Sequence, residues 1–257
     1  MIECRDITCK AGKKRLLENV NITVQDGSIT VLVGNNGSGK TTLVRAITAY
    51  HERRRDISGT INVDGDYCDT LSPRAISRRI ALLPQTLPIS KITVRELVSL
   101  ARASMHSPFS RLSEEERFIV NEAIAAARLT ALADCPVERL SGGERQSAYL
   151  AMLLAKDAPN ILLDEPTSAL DSRARARLFD FLLRMRKQGR AILAVLHDLT
   201  DATEIADRIV ALDSGRVVFD GTPDELKRSD IPMALFGVIP CEAERDGKKI
   251  TVYLPQG

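Results

Sequence analysis

The residues best suited to chemistry form a glycine-rich segment, GNNGSGKTT, at positions 34–42. The pattern GxxxxGKT is typical of a loop whose backbone N–H groups surround phosphate oxygens. In such a loop Lys40 would reach the β- and γ-phosphates, and the hydroxyl of Thr41 would bind Mg²⁺. The alternative is an ordinary glycine-rich turn. The candidate phosphate-binding residues are Gly34, Asn35, Asn36, Gly37, Ser38, Gly39, Lys40, Thr41 and Thr42.

The segments on either side of this loop favour phosphate binding. ITVLV, at 29–33, has the composition of a buried strand, and TLVRAIT, at 42–48, continues the loop as a helix. The positive end of the helix dipole would face the bound anion. We therefore expect a nucleotide site at the end of this strand.

Two adjacent carboxylates follow a second apolar run, in NILLDEP at 160–166. A strand here would deliver Asp164 and Glu165 to its carboxyl end, where ligands bind in open α/β sheets. Asp164 would hold Mg²⁺, and Glu165 would orient and deprotonate the attacking water. The alternative is that the two acids only cap the next turn.

A third candidate is LSGGERQ, at 140–146. Ser141 and Glu144 form a capping-box pattern, and Gly142 and Gly143 leave the helix N-terminus open to an anion. An ordinary capped helix has the same local pattern. The position of the segment shortly before the paired acids favours phosphate binding.

The apolar pattern predicts the scaffold around these residues. Asp26-Gly27 and Asp64-Gly65 separate or close segments with strand alternation, as in antiparallel hairpins. Continuous apolar runs at 161–163 and 191–196 are typical of parallel strands buried on both faces. The helix between these runs has apolar residues at helical spacing, namely Leu178, Phe181, Leu182 and Met185.

Strand character disappears between residues 91 and 136. Two capping boxes there each open a helical pattern, Thr93 with Glu96 and Ser113 with Glu116. We predict an inserted helical subdomain.

The C-terminal part also has helix and turn signals. Thr222 and Pro223 predict a helix start, and Asp246-Gly247 predicts the turn of a terminal hairpin. We find no internal repeat, so one domain over 1–257 is the simplest organisation. It would comprise an α/β P-loop core with an antiparallel β flank (1–90 and 137–230), the helical subdomain (91–136) and a C-terminal extension (231–257).

Composition limits the classes of partner. The 257 residues carry 36 Lys plus Arg against 34 Asp plus Glu, which argues against binding to nucleic acid through a strong positive field. The five cysteines are odd in number and scattered, so neither a disulfide framework nor a zinc knuckle is predicted. The polar N-terminus and short apolar runs predict no secretory signal and no membrane span. We expect a soluble, cytoplasmic chain whose membrane role would depend on a partner.

GNNGSGKTT, LSGGERQ and ILLDEP, in this order, resemble the motifs of ATP-binding cassette (ABC) ATPases, and the resemblance covers nearly the whole chain. Gln85 in LLPQ resembles the Q-loop glutamine, which touches the Mg²⁺ and water site. Asp171 in SALD resembles the D-loop aspartate. His197 in AVLHD resembles the switch histidine that contacts the γ-phosphate, although a lone histidine at a strand end is usually structural.

The resemblance implies an ABC ATPase with ATP and Mg²⁺ as cofactors. Glu165, His197 and Gln85 would be catalytic, and Thr41, Gln85 and Asp164 would lie at the metal. Two copies would pair head to tail, with Asp171 near the nucleotide. Ser141, Gly142 and Gly143 of one copy would then close over the ATP that Gly39, Lys40 and Thr41 of the other copy hold.

The segments SPRAISRRIALLPQ, ITVRELVSLAR and VLHDLTDA resemble the ATPases of iron-siderophore, haem and vitamin B12 importers. This branch implies permease subunits that dock in a groove lined by residues 86–105, and a periplasmic or lipid-anchored binding protein that acts indirectly. The chain would lie at the cytoplasmic face of the inner or plasma membrane. An iron chelate is the favoured cargo. The alternatives are a haem or vitamin B12 importer, an exporter subunit, a translation or DNA-repair ABC ATPase, and a small-molecule kinase.

One segment departs from the family pattern. Family members often stack an aromatic side chain on adenine shortly before the first conserved strand, but the matching stretch CKAGKKRLLENV has Ala11 near that place. Because aromatic stacking contributes about 1 kcal/mol, we expect either a lower nucleotide affinity or another group beneath the base.

Overall fold

The computed structural model describes residues 1–50, 56–103, 112–168, 170–245 and 248–255. An antiparallel sheet opens the chain, with strand order β2-β1-β4-β5. Its strands are β1 (Ile2–Ala11), β2 (Lys14–Val24), β4 (Ile57–Val63) and β5 (Asp66–Tyr67). Asp64-Gly65 closes the β4–β5 hairpin, as predicted.

A six-stranded central sheet carries the rest of the core, with strand order β10-β9-β3-β8-β7-β6. Neighbours in this sheet are parallel except β9 and β10, which pair antiparallel. The predicted parallel strands at 161–163 and 191–196 are therefore confirmed. The strands are β3 (Ile29–Val33), β6 (Ile80–Leu83), β7 (Asn160–Asp164), β8 (Ala191–Val195), β9 (Arg208–Asp213) and β10 (Arg216–Gly221).

The hairpin interpretation of Asp26-Gly27 is wrong. This turn leads from β2 in the antiparallel sheet to β3, which pairs parallel with β8 and β9 in the central sheet. All five residues of β3 are buried, because both faces of the central sheet are covered. Val31 and Val33 pack on the helical side, whereas Leu32 packs with the antiparallel sheet.

Helices cover both faces of the central sheet. The predicted apolar stripe at Leu178, Phe181, Leu182 and Met185 is buried on α6. Two short 3₁₀ turns follow α4, at Thr130–Leu132 and Val137–Arg139. The helices are α1 (Lys40–Thr48), α2 (Pro73–Arg79), α3 (Val94–Ala103), α4 (Glu114–Ala126), α5 (Gly142–Lys156), α6 (Ser172–Lys187), α7 (Leu199–Ile205), α8 (Pro223–Arg228) and α9 (Ile231–Phe236).

The helical insert begins as predicted. At the start of α3, Thr93 and Glu96 exchange hydrogen bonds of 2.7 and 3.2 Å between backbone N–H groups and side chains. Ser113 and Glu116 form the same box at α4. Both helices pack against α5, so the helix that begins at Gly142 belongs to this helical layer.

The C-terminal part consists of α8, α9 and a hairpin. Thr222 caps α8 with a complete capping box, as predicted. Strands β11 (Val238–Arg245) and β12 (Lys248–Pro255) pair antiparallel, which confirms the hairpin, while its predicted turn Asp246-Gly247 lies outside the described residues. None of the helices in the described ranges combines the length and the apolar character that crossing a bilayer requires.

Candidate functional site

The polar residues singled out in the sequence follow four neighbouring parallel strands. The loop at 34–42 follows β3, His197 follows β8, Asp164 ends β7, and Gln85 lies just beyond β6. In the sheet these strands are adjacent in the order β3-β8-β7-β6. Because parallel strands end at one edge, all four groups meet there.

The backbone of the phosphate loop requires glycine. Gly34, Gly37 and Gly39 have φ values of 146°, 80° and 109°, which side chains rarely allow. A Cβ at Gly34 would lie 2.2 Å from the carbonyl oxygen of Leu212, and one at Gly39 would lie 2.6 Å from Leu17 Cδ2. At Gly34 and Gly39 the loop is thus packed too closely against its neighbours for a side chain.

Two groups of the loop are buried and suited to an anion. Lys40 Nζ donates to the carbonyl oxygens of Gly34 (2.7 Å) and Asn35 (3.0 Å). Burial lowers the pKa of Lys40, while the charges of Glu165 and Asp164 act in the opposite direction. Ser38 Oγ is buried and has no hydrogen-bond partner among the described residues. A bound phosphate would neutralise the charge of the buried Lys40 and give the Ser38 hydroxyl a hydrogen-bond partner.

The start of α1 is also open to an anion. Gly39 occupies the N-cap position and offers no side-chain hydrogen bond. The first N–H groups of the helix therefore lack a side-chain cap and point to the loop end of the helix, where the dipole is positive.

Thr41 and Asp164 form a pair of hard oxygen donors. Thr41 Oγ1 donates to Asp164 Oδ1 at 3.1 Å. Asp164 is buried, and this burial raises its pKa although the Thr41 hydroxyl acts to lower it. Such oxygens suit Mg²⁺, which takes its other ligands from phosphate and water. In the described ranges no cluster of three or more His, Cys, Asp or Glu side chains could hold a metal by itself.

Glu165 is held at both carboxylate oxygens. Gln85 Nε2 donates to Oε2 at 2.6 Å, and His197 Nε2 lies 2.7 Å from Oε1. The backbone of Glu165 has φ of 52°, a left-handed conformation that costs a non-glycine residue energy and recurs at functional sites. The acid is therefore held at the edge of the sheet by two side chains that follow the neighbouring strands β6 and β8.

A cavity of about 230 Å³ lies on the loop. It joins the phosphate loop to Glu165 and to two residues of β2, Lys14 and Leu16, that sequence reasoning missed. They lie in the stretch already noted for Ala11, but the sequence did not indicate that their side chains reach the loop. The complete lining is Lys14, Leu16, Asn36, Gly37, Gly39, Lys40, Thr41, Thr42 and Glu165.

The LSGGERQ segment lies apart from this cavity. Its capping box is complete: Ser141 accepts from the Glu144 N–H, and Glu144 accepts from the Ser141 N–H and hydroxyl. These bonds hold the pKa of Glu144 below its usual value. Ser141, Gly142 and Gly143 do not line the cavity, and neither does Asp171, which caps α6 through a 2.7 Å bond from Ala174 N–H.

Gln146, the last residue of LSGGERQ, is a further residue that sequence reasoning left without a role. Its buried side chain donates from Nε2 to the carbonyl oxygen of Pro166. Pro166 directly follows Glu165 in the chain. The helix that begins with the two glycines is thereby bonded to the loop that carries Glu165.

The sequence profile of the family described as ABC transporter matches residues 17–168, more than half of the chain. The chain belongs to this family. The iron(3+)-hydroxamate import ATP-binding protein FhuC of Bacillus subtilis (strain 168) is 37% identical over 88% of this ABC transporter chain and 84% of its own length. The ferric enterobactin transport ATP-binding protein FepC of Escherichia coli (strain K12) is 36% identical over 90% and 85%.

A solved ATP-binding subunit of an ABC transporter superposes on this ABC chain with a TM-score of 0.79 at 27% identity, covering 89% of this chain and 92% of the other. The predicted fold class is confirmed: a P-loop ABC ATPase core with an antiparallel flank and a helical insert. The predicted enzyme class, an ATPase coupled to transport, is confirmed as well.

Proposed function

We propose that this chain is the ATP-hydrolysing subunit of an importer for an iron chelate. The observation that carries the proposal is the position of Glu165, which lines the same cavity as the phosphate loop and Lys40. The cargo class is supported by the relatives above, which are named for import or transport of iron(3+)-hydroxamate and ferric enterobactin.

The loop residues at 34–42 would hold the phosphates through their N–H groups and Lys40, and Thr41, Asp164 and Gln85 would hold Mg²⁺. Bound Mg²⁺ neutralises charge on the phosphate oxygens. Glu165 would orient the attacking water and accept its proton. Gln85 and His197 each contact one of its two oxygens in the free chain, and each carboxylate oxygen keeps a second lone pair that can accept from the water.

A second copy would complete the site. Ser141 and Gly142 are exposed at the start of α5. The Glu144 carboxylate accepts hydrogen bonds from the N–H and the hydroxyl of Ser141. These residues and Gly143 stay out of their own chain's cavity, which leaves them free to contact the nucleotide of a partner. Asp171 would lie at the same interface.

Membrane association would come through permease subunits, placing the chain at the cytoplasmic face, with a substrate-binding protein acting indirectly. Support comes from exposed apolar side chains at Ile89 and Leu100, within the predicted docking segment 86–105, and at Phe118 on the adjacent α4. Residues 104–105 of that segment lie outside the described residues.

The boundaries of the core (1–90 and 137–230), helical subdomain (91–136) and extension (231–257) are part of this proposal.

The hydrolytic role is tested with Glu165→Gln, which keeps size and hydrogen bonding but removes the base. We expect the variant to bind ATP, to dimerise with ATP and Mg²⁺, and to lose about 10²–10⁴-fold in turnover. Phosphate release and light scattering with and without ATP measure this. Glu115→Gln, at an exposed glutamate of α4, is the matched control. Undiminished turnover of Glu165→Gln would show that Glu165 is not the base that accepts the proton of the attacking water.

The cargo class needs the assembled transporter. A permease and a substrate-binding protein that copurify with the chain would be reconstituted in vesicles, and ATP turnover would be compared with ferric hydroxamate, ferric catecholate, haem and no ligand. We expect a ferric chelate to stimulate turnover most. Stimulation by haem alone would overturn the iron-chelate assignment and leave the ATPase assignment in place.

A further inference from the structure

A second cavity, of about 490 Å³, is lined by residues of three helices. The lining comes from the C-terminal end of α4, from α5 and from α6, and it shares no residue with the cavity on the phosphate loop. Pockets that bind small molecules have volumes of about 300–1,000 Å³. The cavity therefore has the size of a small-molecule site, and the ATP hydrolysis proposed above uses none of its residues.

Part of the wall of this cavity is apolar. Leu150 and Leu154 lie one turn apart on α5, and Phe181 lines the cavity from α6. Both leucines are half-buried, so they keep some apolar surface in contact with water. An apolar part of a ligand would remove that surface from water, which is favourable.

The rest of the wall is strongly basic. Four cations line the cavity against one carboxylate, that of Asp180. All four are exposed, and within the described part of the chain none of their side chains forms an ion pair or a hydrogen bond. An excess of unpaired positive charge around a concave surface attracts anions. The four cations are Arg128, Arg177, Arg184 and Lys187.

Arg128 reaches the cavity from a strained backbone. It directly follows α4 and has φ of 59°. Its N–H donates to the Ala125 carbonyl at 2.9 Å, and the Leu129 N–H donates to the Ile124 carbonyl at 3.0 Å. These two bonds define a Schellman motif, in which glycine is the usual residue at this position. A strained arginine whose side chain has no partner in its own chain points to a role in binding.

We propose that this cavity binds a small organic anion that carries an apolar portion. Arg128 and Arg184 would donate hydrogen bonds to its anionic group, since a guanidinium matches carboxylate, sulfonate and phosphate oxygens. The apolar portion would cover Leu150 and Leu154. A neutral apolar molecule would leave the cations without partners, and an inorganic anion would leave the leucines exposed to water. The chemistry of the wall thus selects a ligand with both parts.

Fluorescence titration of the full chain with anilinonaphthalene sulfonate tests this ligand class, because the probe joins a sulfonate to apolar rings. ADP and Mg²⁺ would be present to fill the nucleotide cavity. We expect the uncharged analogue phenylnaphthylamine to bind at least about tenfold more weakly, because it makes no charge-assisted hydrogen bond. Inorganic sulfate at the concentration of the probe should not displace it.

Three results of this titration would overturn the proposal. Equal affinity for the uncharged analogue would show that the cations do not recognise the ligand. Displacement by sulfate at equal concentration would show that the apolar wall contributes nothing. Tighter binding of a hexaglutamate peptide than of the probe would assign the cavity to an acidic protein segment instead of a small molecule.

Charge reversal locates the probe. Arg184→Glu replaces a cation of the wall by an anion and should weaken binding of the probe by at least about tenfold. Arg173→Glu is the matched control, because Arg173 is an exposed arginine of the same helix that does not line the cavity. Both variants change the net charge equally, and the control should stay within about twofold of the parent. Equal effects of the two changes would place the probe elsewhere.

Arg128→Gly separates binding from stability. Glycine relieves the left-handed backbone, so Tm from thermal unfolding should rise, while affinity for the probe should fall by about threefold to tenfold. A residue that only maintains the structure would not give opposite changes in stability and binding. A higher Tm with unchanged affinity would remove Arg128 from the site. A lower Tm would show that the arginine stabilises the fold, against the argument from strain.

Discussion

Glu165 has a strained backbone, and its side chain makes a contact at each carboxylate oxygen. Its left-handed conformation costs on the order of 1–3 kcal/mol. Local bonds maintain it: Ser168 Oγ donates to the Glu165 carbonyl oxygen at 3.1 Å, and Gln146 holds the next carbonyl, that of Pro166. This backbone directs the carboxylate to Gln85 and His197. A residue placed at such cost is positioned for chemistry more than for packing.

Asp164 should make stability of the free chain depend on pH. Burial raises its pKa, so between its unfolded and folded pKa values the native state binds more protons than the unfolded state. The free energy of unfolding therefore falls as pH rises through that window, and it stays lower at neutral pH. Asp164→Asn should remove this loss and raise Tm at pH 7 by about 2–4 °C for each kcal/mol recovered.

Thermal unfolding from pH 4 to pH 8 measures this effect. The stabilisation that ATP gives only with Mg²⁺ should be lost in the same variant, because a carboxylate ligand is gone. Asp230→Asn, at an exposed aspartate without an ion pair among the described residues, should leave both properties unchanged. A variant less stable than the parent at every pH would show that the Thr41–Asp164 bond outweighs the desolvation of the carboxylate.

At the level of strands and helices, the sequence predicted those elements whose environment is uniform. A parallel strand covered on both faces must be apolar throughout, so the strands at 161–163 and 191–196 could be read directly. The hairpin prediction at Asp26-Gly27 was wrong because an Asp-Gly turn has the same local sequence whether it closes a hairpin or joins two sheets. The order of the central strands differs from their order in the chain.

That strand order is also why parts of the site needed the structure. Gln85 and His197 are single polar residues after strands, and only the adjacency of β6, β7 and β8 brings both to Glu165. Lys14 and Leu16 approach the loop through the turn at Gly215, a contact between distant segments that no local pattern encodes.

Helix α5 should affect catalysis through Gln146. Gln146→Met keeps the length of the side chain but leaves the Pro166 carbonyl without its donor, which costs about 1–3 kcal/mol for a buried group. The loop carrying Glu165 loses its bond to the helix that starts at Gly142. We expect kcat for ATP to fall while ATP affinity of the isolated chain stays near that of the parent.

Ser229→Ala is the comparison for general destabilisation, because it removes the 2.8 Å bond from Ser229 Oγ to the Leu226 carbonyl in the remote helix α8. Thermal unfolding, nucleotide titration and turnover would be measured on both variants. Equal losses of turnover at equal losses of stability would show that the Gln146 bond is only structural.

The nucleotide cavity, the exposed start of α5 and the exposed apolar side chains are different parts of the molecular surface. The phosphate loop, Glu165, Lys14 and Leu16 line one cavity, and the exposed start of α5 does not line it. Exposed apolar side chains lie on the helical layer. Exposed apolar residues in groups indicate interaction sites. The arrangement suits a subunit that shares one surface with its copy and another with a membrane partner.

The surface for the membrane partner is tested by charge substitution. Leu100 and Phe118 are 54% and 65% exposed, so Leu100→Glu and Phe118→Glu should not disturb the fold or the ATP affinity of the isolated chain. Against an apolar permease helix, each would leave an unpaired charge and weaken assembly by at least about tenfold, or 1.4 kcal/mol.

Copurification with the permease and cargo-stimulated ATP turnover in vesicles measure the loss of assembly. Tyr67→Glu, at a side chain 50% exposed on β5 of the antiparallel sheet, is the matched control and should assemble normally. If Tyr67→Glu alone abolished assembly, the permease would dock on the antiparallel sheet. That result would contradict docking on the helical layer because the two surfaces belong to different parts of the fold.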